Sequence, residues 1–319
     1  MTPEAFRLPQ CGPMSRVGLG TWATFGDGVD FDTARRVLFA ALDSGITHID
    51  TAPGYAGGVA EEWLGRLLDG TDRAHLVVST KAFFAATAEP GPHLEGLSRR
   101  AVFHSVEGSL RRLRCESIDL LYCHRADPDT PLEETLQALA DLRRAGKIRA
   151  WGISRWPASL TLRAVDIASK FGLPPPSAAQ EPYNRLHPAA AATLKAELKS
   201  VPVPIVGYSI LARGTLTGKY LSQIPAASRA ARSHDCPQAW KIDDAQAERI
   251  GKVVALAHRT GATAASLMIA DALASGPCAA VLTAASSPEQ VAEIAKGMAL
   301  AQNDALTQEI EGIFRDPAD

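Results

Sequence analysis

The sequence predicts a parallel, eight-stranded α/β fold, a (β/α)8 barrel of the TIM type, and three observations predict it. Short apolar runs alternate with helical periods along the chain. No low-complexity gap interrupts the 319 residues, a length compatible with a single barrel domain over 1–319. No G-x-G-x-x-G follows an early strand, which weighs against a doubly wound sheet.

Taken in order, the first half holds five strand–helix units. The runs RVGLG (16–20), THIDT (47–51), HLVVST (75–80), IDLLYC (118–123) and AWGIS (150–154) are short and apolar or β-branched, as buried parallel strands are. Helical periods follow them at 31–44, 59–69, 99–114, 131–145 and 158–171. The helix at 131 carries start and stop signals: Thr130 as N-cap, Pro131 in the first turn, Glu133 closing a capping box, then RRAGK with Gly146 as C-cap. The second half predicts strands near 177–181, 204–208 and 279–282, and helices near 188–200, 243–260, 263–275, 288–300 and 303–314. Segment 209–242, rich in Ser, Arg, Pro and Gly, follows the seventh strand and reads as a long functional loop on the active face.

Thirty-three basic and 35 acidic residues, without a dense basic run, argue against nucleic acid or a membrane surface as partner. Five cysteines (Cys11, Cys115, Cys123, Cys236 and Cys278) are scattered, odd in number and free of C-x-x-C. That pattern opposes a disulfide framework and a thiolate metal site, and predicts a reducing compartment. The N-terminus has no signal-peptide core and no stretch approaches the ~20 apolar residues of a membrane span, so a soluble, cytoplasmic protein is expected.

In such barrels the chemistry gathers at the C-terminal ends of the strands. The second predicted strand ends in Asp50, with Tyr55 in its loop; the third ends in Lys81 and the fourth in His124. Each residue alone has a bland reading, as a turn acid, a loop covering, a solvated cation or a core histidine. Four ionisable groups crowning three consecutive strands point instead to one catalytic mouth. A phenol of pKa near ~10 is a poor acid at neutral pH, and an adjacent Lys81 ammonium, held by Asp50, is expected to lower it and make Tyr55 a proton donor. His124 is expected to orient a carbonyl oxygen or relay the proton.

These residues resemble the tetrad of the aldo-keto reductases, NAD(P)H-dependent carbonyl reductases built on this barrel. GLGTWATFG (18–26), CHRADPDTPLEETLQAL (123–139), WGISRW (151–156) and ARGTLTGKY (212–220) look like the branch that holds bacterial members and the β-subunits of voltage-gated potassium channels. The resemblance implies that Gly20, Thr21, Trp22 and Asp50 approach the cofactor, that Ser154, Arg155 and Gln180 meet the nicotinamide carboxamide, and that Tyr208 stacks on its ring. It further implies that Ser209, Leu211, Gly214 and Lys219 bind the pyrophosphate, that Arg229 meets the 2′-phosphate of NADPH, and that Ser286, Gln290 and Glu293 surround the adenosine. Trp22, Tyr55, Phe83 and His124 are the expected substrate pocket, with Phe25, Trp156 and Trp240 as further candidates for an apolar wall or for rim packing. The branch includes multimers, so a homo-oligomer is compatible with the resemblance.

The chain departs from the family pattern at Thr283 and Ala284, after the eighth strand, and at Ile294, where an asparagine and its adenine contact are replaced. NADPH is still preferred over NADH because of Arg229. His48 is expected to pack rather than react, Cys123 to point away from the mouth, and Arg125 to pair with Asp127, with a substrate-anion contact as the lesser reading for Arg125. Three functions compete: an NADPH-dependent reductase of a small-molecule aldehyde or ketone, an NADPH-binding redox sensor, and a lyase or isomerase without a redox cofactor. The retained His124, an asparagine in the channel subunits, favours the reductase.

Overall fold

Along each barrel strand, alternate side chains face the helices and the barrel axis, and this two-residue period builds both the core and the mouth. The computed structural model describes residues 5–87, 91, 93–225, 228–232 and 241–315. Its strands are β1 (Ala5–Leu8), β2 (Gly12–Ser15), β3 (Val17–Gly20), β4 (His48–Asp50), β5 (Val77–Ala82), β6 (Ile118–Cys123), β7 (Ile148–Ser154), β8 (Ala179–Pro182), β9 (Ile205–Tyr208) and β10 (Ala280–Thr283). Strands β3 to β10 form a closed parallel barrel in chain order, with β10 pairing back to β3. The helices are α1 (Phe31–Asp43), α2 (Val59–Leu67), α3 (Arg99–Leu113), α4 (Leu132–Arg144), α5 (Ala158–Lys170), α6 (Ala189–Glu197), α7 (Arg229–Arg232), α8 (Asp244–Thr260), α9 (Ala264–Ala274), α10 (Pro288–Leu300) and α11 (Asp304–Phe314). Every predicted barrel strand and helix is present, displaced by no more than three residues at either end.

Leu19, Ile49, Val78, Leu121, Cys123, Ile153 and Val281 belong to the outer core between sheet and helices. Val77, Leu120, Tyr122, Ala150, Val206 and Ala280 fill the barrel itself, so Cys123 does point away from the mouth. Room for this inner layer depends on Gly18: a Cβ there would lie 2.7 Å from Nδ1 of His48. The antiparallel hairpin of β1 and β2 was not expected from the sequence. Its Leu8 and Met14 are fully buried in the inner cluster and plug the barrel bottom. Four-residue strands interrupted by Pro9 and Pro13 are too short to show a period.

Helix α9 is apolar apart from Ser266 and Asp271, the latter paired with Arg185, and its residues from Ala264 to Leu273 are buried against α8, α10 and α11, as expected of a helix wrapped by others. Among the described residues no single helix is long and apolar enough to cross a membrane.

The start of α4 corrects the sequence reading. Pro131 is the N-cap and no side chain caps the helix. The Thr130 hydroxyl donates to the Asp127 carboxylate (2.8 Å), and Glu133 pairs with Arg163 across the surface (3.2 Å). Asp127 wins Thr130 because it already gathers the backbone N–H groups of Leu97 (2.6 Å) and Asp129 (3.0 Å) into one loop knot. The C-cap is Ala145, one residue before the expected Gly146, which takes the left-handed φ of +73° just beyond it.

Candidate active site

The period that sends Ile49 outward sends His48 and Asp50 inward on β4, and likewise Ser79 and Lys81 on β5. Asp50 pairs in register with Ser79. Its Oδ1 accepts from Lys81 Nζ at 2.6 Å, and its Oδ2 accepts from Ser79 Oγ at 2.8 Å and Gln180 Nε2 at 2.9 Å. Lys81 Nζ also donates to the Thr51 carbonyl at 2.8 Å. Both members of this ion pair are buried. Burial works to lower the Lys81 pKa, but Asp50 and Tyr55 outweigh it and the net shift is upward, so the ammonium stays charged.

Tyr55 opens a tight 3-10 turn (Tyr55–Gly58) with left-handed φ at Ala56 (+49°), Gly57 (+61°) and Gly58 (+94°). The turn is anchored from behind by fully buried Glu61 in α2. Its carboxylate accepts from Thr80 Oγ1 (2.6 Å) and Arg112 Nε (2.8 Å), tying the Tyr55 segment to the strand that carries Lys81. The Lys81 ammonium lies 4.7 Å from the Tyr55 ring centroid, and the ring meets His124 edge-on at 6.2 Å. The Tyr55 pKa is raised, not lowered as expected from sequence: desolvation of the phenolate exceeds the pull of Lys81, whose charge is largely balanced by Asp50. His124 continues the β6 ladder through its N–H to the Ala82 carbonyl (2.9 Å). Desolvation, then Lys81 and Arg125, push its pKa down to about 2, so the imidazole is neutral. A neutral imidazole can donate or accept a hydrogen bond.

His48 lies one layer below and is fully buried, as the packing role predicts, with Nε2 3.0 Å from Ser79 Oγ. Ser79 has one proton and gives it to Asp50, so Nε2 carries the imidazole proton and Nδ1 has no partner. Burial lowers the His48 pKa to about 4. The unfolded chain, near 6.5, binds the proton first, so this residue costs stability as pH falls from 6.5 towards 4, by about 1 kcal/mol per pH unit. Urea unfolding at pH 7, 6 and 5 is expected to show that slope in the wild type and its loss in His48→Gln.

Above the tetrad runs a cavity of about 1040 Å³. Its lining brings together Gly20, Trp22, Asp50, Tyr55 and His124, then Ser154, Arg155, Gln180 and Tyr208, and Ser209, Leu211, Gly214, Lys219, Ser286, Gln290 and Glu293. Lys81 lies beneath it, fully buried. Ser209 and Arg155 hold left-handed φ (+61° and +56°), and the Arg155 N–H is fixed by Glu181 Oε1 at 2.7 Å. Gly214, at φ +94°, leaves the space into which Lys219 folds; a Cβ would meet Lys219 Nζ at 2.6 Å. At the head of α10 both the N–H and hydroxyl of Ser286 donate to Gln290 Oε1 (2.8 and 3.2 Å). A volume at the upper end of the ~300–1,000 Å³ usual for small-molecule pockets, lined by Lys219, several hydroxyls, Tyr55 and His124, fits a dinucleotide and a small carbonyl compound.

Four expected residues, Thr21, Phe83, Phe25 and Trp156, are not brought to this cavity. Thr21 is fully buried and its hydroxyl donates to Thr51 Oγ1 at 2.9 Å. Phe83 packs against the outer core, and Phe84 lines the cavity in its place, edge-on to His124 at 5.1 Å. The cause is Phe83 φ, +153°, which breaks the alternation that would carry position 83 inward after Lys81. Phe25 and Trp156 are rim packing, 1% and 3% exposed. Arg229 begins α7, but its side chain, like Trp240, lies outside the described residues. Arg125 lines the cavity and does not pair with Asp127, whose carboxylate is taken by Thr130 and the loop amides. Sequence reasoning also missed Thr24, Arg213, Thr217, Ser228 and the Thr263–Ala265 corner. That corner belongs to the start of α9 and reaches the cavity only through tertiary closure.

The glycerol dehydrogenase AKR11B4 from Gluconobacter oxydans is similar in structure, with a TM-score of 0.81, 28% sequence identity and 99% of each chain covered. The model of the aldo/keto reductase family matches residues 16–314. The chain belongs to the aldo/keto reductase family and is an NAD(P)H-dependent oxidoreductase.

Proposed function

We propose that the protein reduces an aldehyde or ketone to the alcohol with NADPH, and that Tyr55 delivers the proton. The observation that carries this reading is the convergence of Tyr55 and neutral His124 on one mouth above the buried Lys81–Asp50 pair. Bound NADPH would supply the hydride to the carbonyl carbon. His124 donates an N–H to the carbonyl oxygen and aligns it with the Tyr55 hydroxyl. With its pKa raised, Tyr55 is protonated at every working pH, so the proton is always in place. Lys81 then stabilises the phenolate as the proton leaves, and Asp50 keeps Lys81 charged and fixed. Trp22 and Phe84 wall the mouth and limit water.

Ser154, Arg155, Gln180 and Tyr208 would hold the nicotinamide end; Ser209, Leu211, Gly214 and Lys219 would hold the pyrophosphate; Ser286, Gln290 and Glu293 would face the adenosine. Ser209, Lys219 and the Ser286 corner supply the hydroxyls and point charge that phosphates need. The preference for NADPH rests on Arg229, whose guanidinium suits a 2′-phosphate.

Titration with NADPH and NADH, read by tryptophan quenching, is expected to show tighter binding of NADPH. Arg229→Ala is expected to weaken NADPH by about 10- to 100-fold and NADH far less, the worth of one charge-assisted hydrogen bond. Equal affinity for both coenzymes overturns the preference. Carbonyl-dependent oxidation of bound NADPH supports the reductase; tight binding with no turnover across a panel of aldehydes and ketones points to a redox sensor.

A further inference from the structure

Charges that line the mouth are unevenly paired. Asp50 is satisfied by Lys81, Ser79 and Gln180. Arg125, the residue after His124, lines the same cavity, and among the described residues it forms no ion pair with a carboxylate. Its Nη1 donates to the His124 carbonyl at 2.6 Å, and its guanidinium sits 5.7 Å from the Phe84 ring centroid. The nearby acid, Glu181, is buried; its Oε1 accepts from the Arg155 N–H, and its carboxylate feels both Arg155 and Arg125 without forming an ion pair with Arg125 among the described residues. The loop knot removes Asp127 from competition. A guanidinium with unused donors, fixed beside His124 and backed by an aromatic ring, is a preformed receptor for a planar anion.

We propose that Arg125 binds a carboxylate on the substrate, so that the preferred carbonyl compounds are short oxo acids; this rests on the reductase reading above. The neutral part of the substrate lies against Phe84 and Trp22, and the carboxylate engages Arg125 while the carbonyl faces Tyr55 and His124. Arg125 thereby sets specificity and takes no part in proton transfer.

The test compares 4-oxobutanoate with butanal, the same chain without the charge. The wild type is expected to favour the acid in kcat/KM by about tenfold or more, as a charge-assisted bond implies, and Arg125→Met to abolish the preference through KM. Arg125→Lys should restore part of it, because a point charge replaces the fork. No preference in the wild type, or equal loss of both substrates in Arg125→Met, overturns the inference. NADPH affinity is measured on the same variants: a fall matching the loss in kcat/KM assigns Arg125 to the coenzyme and also overturns it. If neither aldehyde is reduced, binding of unreactive butanedioate to the NADPH-loaded protein decides. Binding that Arg125→Met removes upholds the anion site while the reductase reading fails, and absence of binding overturns both. A phosphate-bearing aldehyde favoured over 4-oxobutanoate shows that the anion is a phosphoryl group and overturns the carboxylate assignment.

Discussion

Tyr55→Phe is expected to lower kcat for carbonyl reduction by about 10²- to 10⁴-fold, the usual worth of a positioned general acid, while NADPH affinity changes little. Phenylalanine keeps the ring 4.7 Å from the Lys81 ammonium and edge-on to His124, so the turn and its packing survive and only the O–H is lost. His124 cannot substitute as the acid, because burial holds it neutral with a pKa of about 2. It can still orient the carbonyl, so KM should move less than kcat. Single-turnover oxidation of NADPH separates chemistry from release. Retained turnover in this variant would sink the role assigned to Tyr55. The wild-type rate of reduction should stay level well into the alkaline range, because the Tyr55 pKa is displaced upward from 10.0. A fall in rate near neutrality would place another group in the proton-donating role.

The barrel was legible because parallel strands buried on both faces leave short apolar runs at regular intervals, and because a two-residue period carries Asp50, Lys81 and His124 to the same rim. Where the period is broken, legibility ends with it. Phe83 and Phe84 exchange roles because one residue takes φ +153°, a backbone choice that composition does not announce. Thr21 sits inside a motif that resembles its family well, yet its hydroxyl is consumed by Thr51 within the core. Thr130 has the residue type of a cap, but Asp127 offers it a stronger acceptor three residues away. The direction of the Tyr55 shift was misjudged for a related reason. Proximity of a cation could be read from strand ends, whereas desolvation depends on the whole mouth, and the Asp50 charge offsets part of the pull of Lys81. The far wall of the cavity joins residues near 210, 263 and 290, which only the closed barrel brings together.

Lys81→Met is expected to destabilise the protein by about 3–5 kcal/mol, more than most core substitutions, because it leaves the Asp50 carboxylate 3% exposed and without its cation. Ser79 and Gln180 still donate to Oδ2, but Oδ1 loses the Lys81 ammonium and faces a low-dielectric interior. Adding Asp50→Asn removes that charge. The double variant is therefore expected to recover a large part of the loss, although both variants lack the ammonium that a departing phenol proton needs. Urea unfolding of wild type, both single variants and the double at pH 7 completes the cycle. A double variant as unstable as Lys81→Met would mean that the lysine stem, packed under Tyr55, matters more than the charge it carries. Recovery without activity would separate the two functions proposed for this pair: burying a charge in the barrel, and stabilising the Tyr55 phenolate as its proton leaves.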